Sequence, residues 1–286
     1  MSTRLLNCIC FFGCLCFTTL STTFSHADDS IFPDKNLEAV VRTYVFEKRN
    51  NEEPITEKDV ENLSTIKGVG KGIKDLTGLD KCVSLALLNL ENNEISDIQA
   101  IKGLKNLQSV NLAKNQITDI SAVSELTKLQ YLHLANNQVT DLKPLSWLAN
   151  MRSLYLSNNK VSNLEPIAEL TKIWSLYLDG NSVTDLKPLA KLKWLSSLDL
   201  RDDQVEDIAP LSELTELRHL FLEGNKLTDL AVLVGMAEKD ASGEQRFAPF
   251  WNLYLANNPL DDAKTKPQLE RLKELGARLH MEPTPR

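Results

Sequence analysis

Apolar and polar residues alternate in a short stretch that returns every 22 residues along most of this chain. Leu85–Asn93 reads LALLNLENN, Leu107–Asn115 reads LQSVNLAKN and Leu129–Asn137 reads LQYLHLANN. The frame continues through Met151–Asn159, Ile173–Asn181 and Leu217–Asn225. Alternation of period two marks a strand with one buried face. Each such stretch ends on one rung of a polar ladder: Asn93, Asn115, Asn137, Asn159, Asn181, Asp203, Asn225 and, after an insertion, Asn258. Two further ladders keep the same phase. One is Asp97, Asp119, Asp141, Asn163, Asp185, Asp207 and Asp229; the other is Pro144, Pro166, Pro188 and Pro210.

One coil of this length cannot bury its own leucines, but stacked coils bury them as a continuous core. The fold expected is an α/β solenoid, a horseshoe with a parallel β-sheet on its concave face. An asparagine side chain both donates and accepts, so each rung is expected to satisfy turn backbone in its own and the next coil. Asp203 departs from this, because a carboxylate only accepts. Proline in the return half fixes φ and lacks an N–H, which favours a short turn or irregular backbone there.

A solenoid needs both ends covered. Leu37, Val40, Val41, Tyr44 and Val45 follow the spacing of an amphipathic helix. Thr56 and Asp59 form most of a capping box for a second helix. At the other end, Asn225 and Asn258 lie 33 residues apart, 11 more than the period. Leu269, Leu272 and Leu275 then suggest a helix stopped at Gly276. The organisation expected is a leader over 1–27, a helical N-terminal cap over 28–62, about eight coils over 63–262 with an insertion at 233–249, and a helical C-terminal cap and tail over 263–286.

The leader has one charge (Arg4), an apolar run from Leu5 to Leu20, and Ser25-His26-Ala27, the pattern of a signal peptide cut after Ala27. The mature chain is then secreted, periplasmic or extracellular, with no membrane span. Processing and lipid attachment at Cys14 is the alternative. Four of the five cysteines lie in this leader, which leaves Cys82 as a single, buried apolar thiol. Residues 1–27 hold one Arg and no acid, so the remainder carries 31 basic against 39 acidic residues, a net of −8. That balance disfavours nucleic acid and anionic membranes as partners.

With the ladders in hand, the chain resembles the bacterial leucine-rich-repeat proteins of the internalin type, whose 22-residue repeat is similar to L-x-x-L-x-L-x-x-N-x-I-x-D-[IL]-x-P-[IL]. Ile31-Phe32-Pro33-Asp34 through Ile55-Thr56 is similar to the helical cap that precedes such repeats. The resemblance covers roughly 31–262. It implies that the concave face binds a protein partner. A non-catalytic monomer is expected separately, the lack of activity from the lack of any catalytic motif. The stretch Leu279–Arg286 shows no sorting motif or apolar tail, so wall anchoring is not expected.

Outward strand positions form columns, and these hold the candidate site. One column includes His133, Tyr155, Tyr177, Asp199, Phe221 and Tyr254; its neighbour includes Tyr131 and His219; a third includes Arg201. The rings either anchor a partner or stack on one another across coils. Glycan binding through the same rings is the alternative ligand class. Trp174, Trp194 and Trp251 are expected to cover the rim of the core. Asp179, Asp199, Asp202, Asp203 and Glu223 read as a solvated acidic face partly neutralised by Arg201, rather than as a calcium site. A glycoside hydrolase using Asp199 and Glu223 is the remote enzymatic alternative. No cofactor, metal motif or catalytic motif is expected.

Overall fold

The computed structural model describes residues 30–247 and 250–284, without the side chain of Asp262. The leader, its cut after Ala27 and Cys14 lie outside the described residues. Ten strands form one sheet in chain order, and every neighbouring pair is parallel. They are β1 (Thr65–Lys67), β2 (Leu87–Asn89), β3 (Ser109–Asn111), β4 (Tyr131–His133), β5 (Ser153–Tyr155), β6 (Ser175–Tyr177), β7 (Ser197–Asp199), β8 (His219–Phe221), β9 (Asn252–Tyr254) and β10 (Arg278–His280). In β1–β9 the middle residue, always Leu, Ile or Val, is buried. A horseshoe solenoid with helical caps results, with one core of Leu, Ile and Val running its length.

The return half of most coils is a 3-10 turn of three to five residues, such as Lys143–Leu145 or Lys187–Lys191. The proline ladder sits inside these turns, where a fixed φ is an advantage. The aspartate ladder starts them: Asp141 Oδ1, for example, accepts the Lys143 N–H at 2.9 Å, and Asp185 does the same for Lys187.

The asparagine rungs bond to the preceding coil, not the next one. Asn137 Oδ1 accepts the Ile117 N–H at 2.9 Å, while its Nδ2 donates to Leu112 O and Leu134 O, both at 3.0 Å. The side chain points back because the strand's last carbonyls lie behind it and the previous turn's amide lies beside it. Each such carbonyl therefore receives two asparagines: Leu134 O is bonded by Asn137 and Asn159, and Leu156 O by Asn159 and Asn181. Asp203 interrupts this chain. Its Oδ1 accepts the Val183 N–H at 2.8 Å, but its buried Oδ2 has no hydrogen-bond partner. Leu178 O keeps only Asn181 and Leu200 O only Asn225. Burial, reinforced by the charges of Asp179 and Asp199, pushes the Asp203 carboxyl up to about 7.

One residue before each rung the backbone turns left-handed, at Asn92, Lys114, Asn136, Asn158, Gly180, Asp202, Gly224 and Asn257. Asn, Asp and Gly tolerate this conformation; Lys114 adopts it against preference.

At the N-terminal end, α1 (Lys35–Arg42) is capped by Asp34, whose Oδ1 accepts from the Asn36 and Leu37 amides. Its Oδ2 accepts from Lys74 and Asp75 of the first coil, so one carboxylate starts the cap helix and fastens it to the solenoid. Thr56 begins α2 (Glu57–Val60), its N–H donating to Asp59 at 2.7 Å. At the other end, the insertion after Asn225 becomes a helix, α3 (Ala231–Ala241), where other coils have a 3-10 turn. It packs beside α4 (Asp262–Glu274), which ends before Gly276 at φ 89°. The β8–β9 register still matches Phe221 with Tyr254, so the extra residues are absorbed on the convex side. β10 extends the sheet into the stretch read as cap and tail, where the leucine frame is absent and only Leu279 sits at an inward position. Cys82 is fully buried, and desolvation raises its thiol to about 12, which makes it unreactive.

Candidate functional site

The parallel register aligns the outward columns directly. Tyr131 pairs with Ser109 and Ser153; His133 pairs with Tyr155, and Tyr155 with Tyr177. Four rings thus become continuous on the concave face. Tyr155 and Tyr177 stack with centroids 4.8 Å apart, His133 lies 4.9 Å from Tyr155, and Tyr131 lies 5.4 Å from Tyr155. All four are half-buried, flanked by Ser153, Ser175 and Ser197. Burial pushes the phenols of Tyr131 and Tyr177 up and the imidazole of His133 down, which favours the neutral form of these three rings.

A second run begins two strands beyond β6, on β8. Phe221 stacks on Tyr254 at 4.2 Å and Tyr254 on His280 at 4.1 Å. His280 belongs to β10, beyond the reach of the repeat columns; its only sequence signal is an outward position one residue after Leu279. His219 stands exposed in the neighbouring column, apart from both runs.

Asp199 separates the two runs. Its column position is outward, yet it is fully buried. Arg201 covers it, with Nε at 2.9 and 3.1 Å from the two carboxylate oxygens and Nη2 at 2.6 Å. Burial pushes the carboxyl up while Arg201 opposes the shift. Asp199 therefore has no exposed surface of its own and holds the Arg201 guanidinium in place. Arg201 also sits 5.2 Å from the Phe221 ring, a cation–π contact that bridges the gap between the runs. The acidic face is thus largely internal: Asp199, Asp203 and Glu223 are all buried. A depression of about 340 Å³ opens where Tyr177 meets Arg201, walled by Ser157, Asp179, Gly180 and Asp202.

The tryptophans divide. Trp251 is buried and stacks on Phe247 at 4.5 Å. Trp174 and Trp194 do not cover the core: they are 61% and 65% exposed, at the edge where β6 and β7 begin. The core beneath them is already closed by Ile173 and Leu195, so the rings are left outside. Trp147 is 81% exposed just past a 3-10 turn, away from the sheet.

Among the described residues no helix is long and apolar enough to cross a membrane, and no group of three or more His, Cys, Asp or Glu is placed to hold a metal ion.

The family described as Leucine Rich repeats (2 copies) matches residues 83–126, 105–149 and 127–169. No curated protein matches significantly. Among solved structures, internalin C2 of Listeria monocytogenes is 32% identical, with a TM-score of 0.70, and the alignment covers 74% of this chain and 95% of that one. A leucine-rich-repeat protein of Leptospira interrogans (19% identity, TM-score 0.58, 71% of this chain and 56% of that chain) shares the fold. So does a plant peptide hormone receptor, RGFR1, solved in complex with RGF2 (20% identity, TM-score 0.57, 69% of this chain and 33% of the receptor). The repeat, the cap and the match to internalin C2 over three quarters of the sequence together place this chain in the internalin family of bacterial leucine-rich-repeat proteins.

Proposed function

We propose that this chain is a secreted, non-catalytic module that binds a protein partner on the concave face of its solenoid, centred on Tyr131, His133, Tyr155 and Tyr177. The observation that carries the reading is the continuity of these four rings across three adjacent strands. Held by stacking and by the sheet beneath, they form a rigid, amphipathic platform that loses little conformational entropy on binding. The serines beside them leave room for a partner's side chains to reach the ring faces. Half-exposed tyrosines on such a platform have the character of interface anchors. The leader supports secretion. The plant receptor of the same fold was solved with a bound partner, which accords with the reading. The buried, ion-paired state of Asp199 argues against its use as a catalytic acid or base.

The test is capture from native extract by the immobilised chain, identification by mass spectrometry, and repetition with Tyr155→Ala and Tyr177→Ala. Each truncation is expected to weaken the identified partner by about 30-fold or more, the effect of losing an anchor worth about 2 kcal/mol. Circular dichroism checks that the solenoid is intact. Equal capture by the variants would remove the concave-face assignment.

A further inference from the structure

After β10 the chain turns back over the concave face. The Thr284 amide N–H donates to Glu223 Oε1 at 2.7 Å. Its hydroxyl lies 3.1 Å from both Glu223 carboxylate oxygens and accepts from Arg201 Nη1 at 2.8 Å. The hydroxyl thus takes a hydrogen from the guanidinium and gives its own to the carboxylate. Arg201 is already held by its multiple bonds to Asp199, which leaves Nη1 to reach the Thr284 hydroxyl. This contact explains why Glu223, at an outward position on an open sheet, is only 5% exposed.

The groups held here are a backbone N–H and a hydroxyl. Any extended segment can present the first, and any serine or threonine the second. The site is therefore generic in chemistry and specific in geometry: a cation and an anion spaced to bracket one hydroxyl, with the anion also reading the main chain. All three bonds, from the N–H to Glu223, from the hydroxyl to Glu223 and from Arg201 to the hydroxyl, are charge-assisted, the stronger class of hydrogen bond. The site adjoins the depression beside Tyr177, so a segment seated on it continues directly onto the aromatic platform.

We infer that Arg201 and Glu223 form a peptide subsite on the concave face, that it takes the N–H and hydroxyl of a serine or threonine in an extended segment, and that the chain's own Thr284 fills it in cis. The inference rests on the concave-face reading and adds the chemistry of the partner at this end of the face. A tethered segment competes at an effective concentration of about millimolar. A partner using this subsite must displace it, whereas one confined to the four-ring platform need not.

The experiment uses the full chain, wild type and Thr284→Pro, which removes both the N–H and the hydroxyl without shortening the segment. Each is titrated with a synthetic peptide of residues 281–286 and followed by NMR. The peptide is expected to bind Thr284→Pro saturably, with shifts confined to β7, β8 and β9, and to leave the wild type unaffected. Replacing the peptide's threonine by alanine is expected to weaken binding about tenfold or more, the loss of a hydrogen bond to a charged group. Adding Glu223→Ala to the Thr284→Pro chain is expected to abolish it. Absence of saturable shifts, equal binding by the wild type, equal affinity of the alanine peptide, or survival of binding in the Glu223→Ala variant would each overturn the subsite. No partner is present in this titration, so its failure is separate from failure of the tyrosine variants to lose a partner.

Discussion

Replacing Asp203 by asparagine is expected to stabilise this protein at alkaline pH and to do little in acid. The rung at 203 is flanked by carbonyls of Leu178 and Leu200, each of which has one asparagine donor where its counterparts have two. A neutral, protonated Asp203 can donate toward them; a carboxylate presents a buried, unpaired Oδ2 instead. The folded chain therefore prefers the protonated acid, and its pKa rises from 3.8 to about 7. The sign follows from which state binds the proton more tightly. The stability contributed by the protonated acid is whole below pH 3.8, falls as the unfolded chain ionises, and is lost once pH passes about 7. Three pKa units correspond to about 4 kcal/mol. An asparagine at this rung does not titrate and restores both donors, so Asp203→Asn should gain on the order of 4 kcal/mol at pH 8.5 and under about 1 kcal/mol at pH 4. In a chain of this size that is a rise in Tm of about 10 °C at the higher pH. Urea and thermal unfolding of both proteins at the two pH values measure it, since every group they share cancels in the difference. The reciprocal variant, Asn159→Asp, should acquire a similar loss of stability with rising pH. A gain independent of pH, or an Asp203→Asn variant less stable at pH 8.5, would refute the reasoning.

Asn137→Ala removes one acceptor and one donor group, stranding the Ile117 N–H and half the partners of Leu112 O and Leu134 O; a loss of about 3 kcal/mol is expected in urea unfolding. Gly180→Ala places a Cβ 2.5 Å from Asn158 Oδ1 at φ 69°, and should cost about 2 kcal/mol. Gly235→Ala, in the middle of α3 with open space around it, should instead add about 0.5–1 kcal/mol, so the two glycine variants move Tm in opposite directions.

The fold was legible because a fixed period determines register. Once Leu132 and Leu154 are assigned to equivalent positions, every outward residue between them is placed, and the ring contacts between Tyr155 and Tyr177 follow without coordinates. Features that depend on contacts outside the period were not legible. Asp199 is outward by its column and buried by Arg201, a residue that no ladder repeats. β10 lies 26 residues beyond β9, a spacing found nowhere else in the chain, and carries one inward leucine. Thr284 reaches Arg201 across 83 residues of sequence. The left-handed position before each rung was partly readable, since Asn, Asp and Gly fill it except at Lys114. The helix in the insertion was obscured by its charges, which face solvent while Leu233 and Met236 reach the core.

The concave-face account is tested most directly by hydrogen exchange of the chain with and without its captured partner. The account predicts slowed exchange in β4, β5 and β6, around Tyr131, Tyr155 and Tyr177, with the 3-10 turns near Trp147 unchanged. Protection confined to those turns, with the strands unaffected, would contradict it.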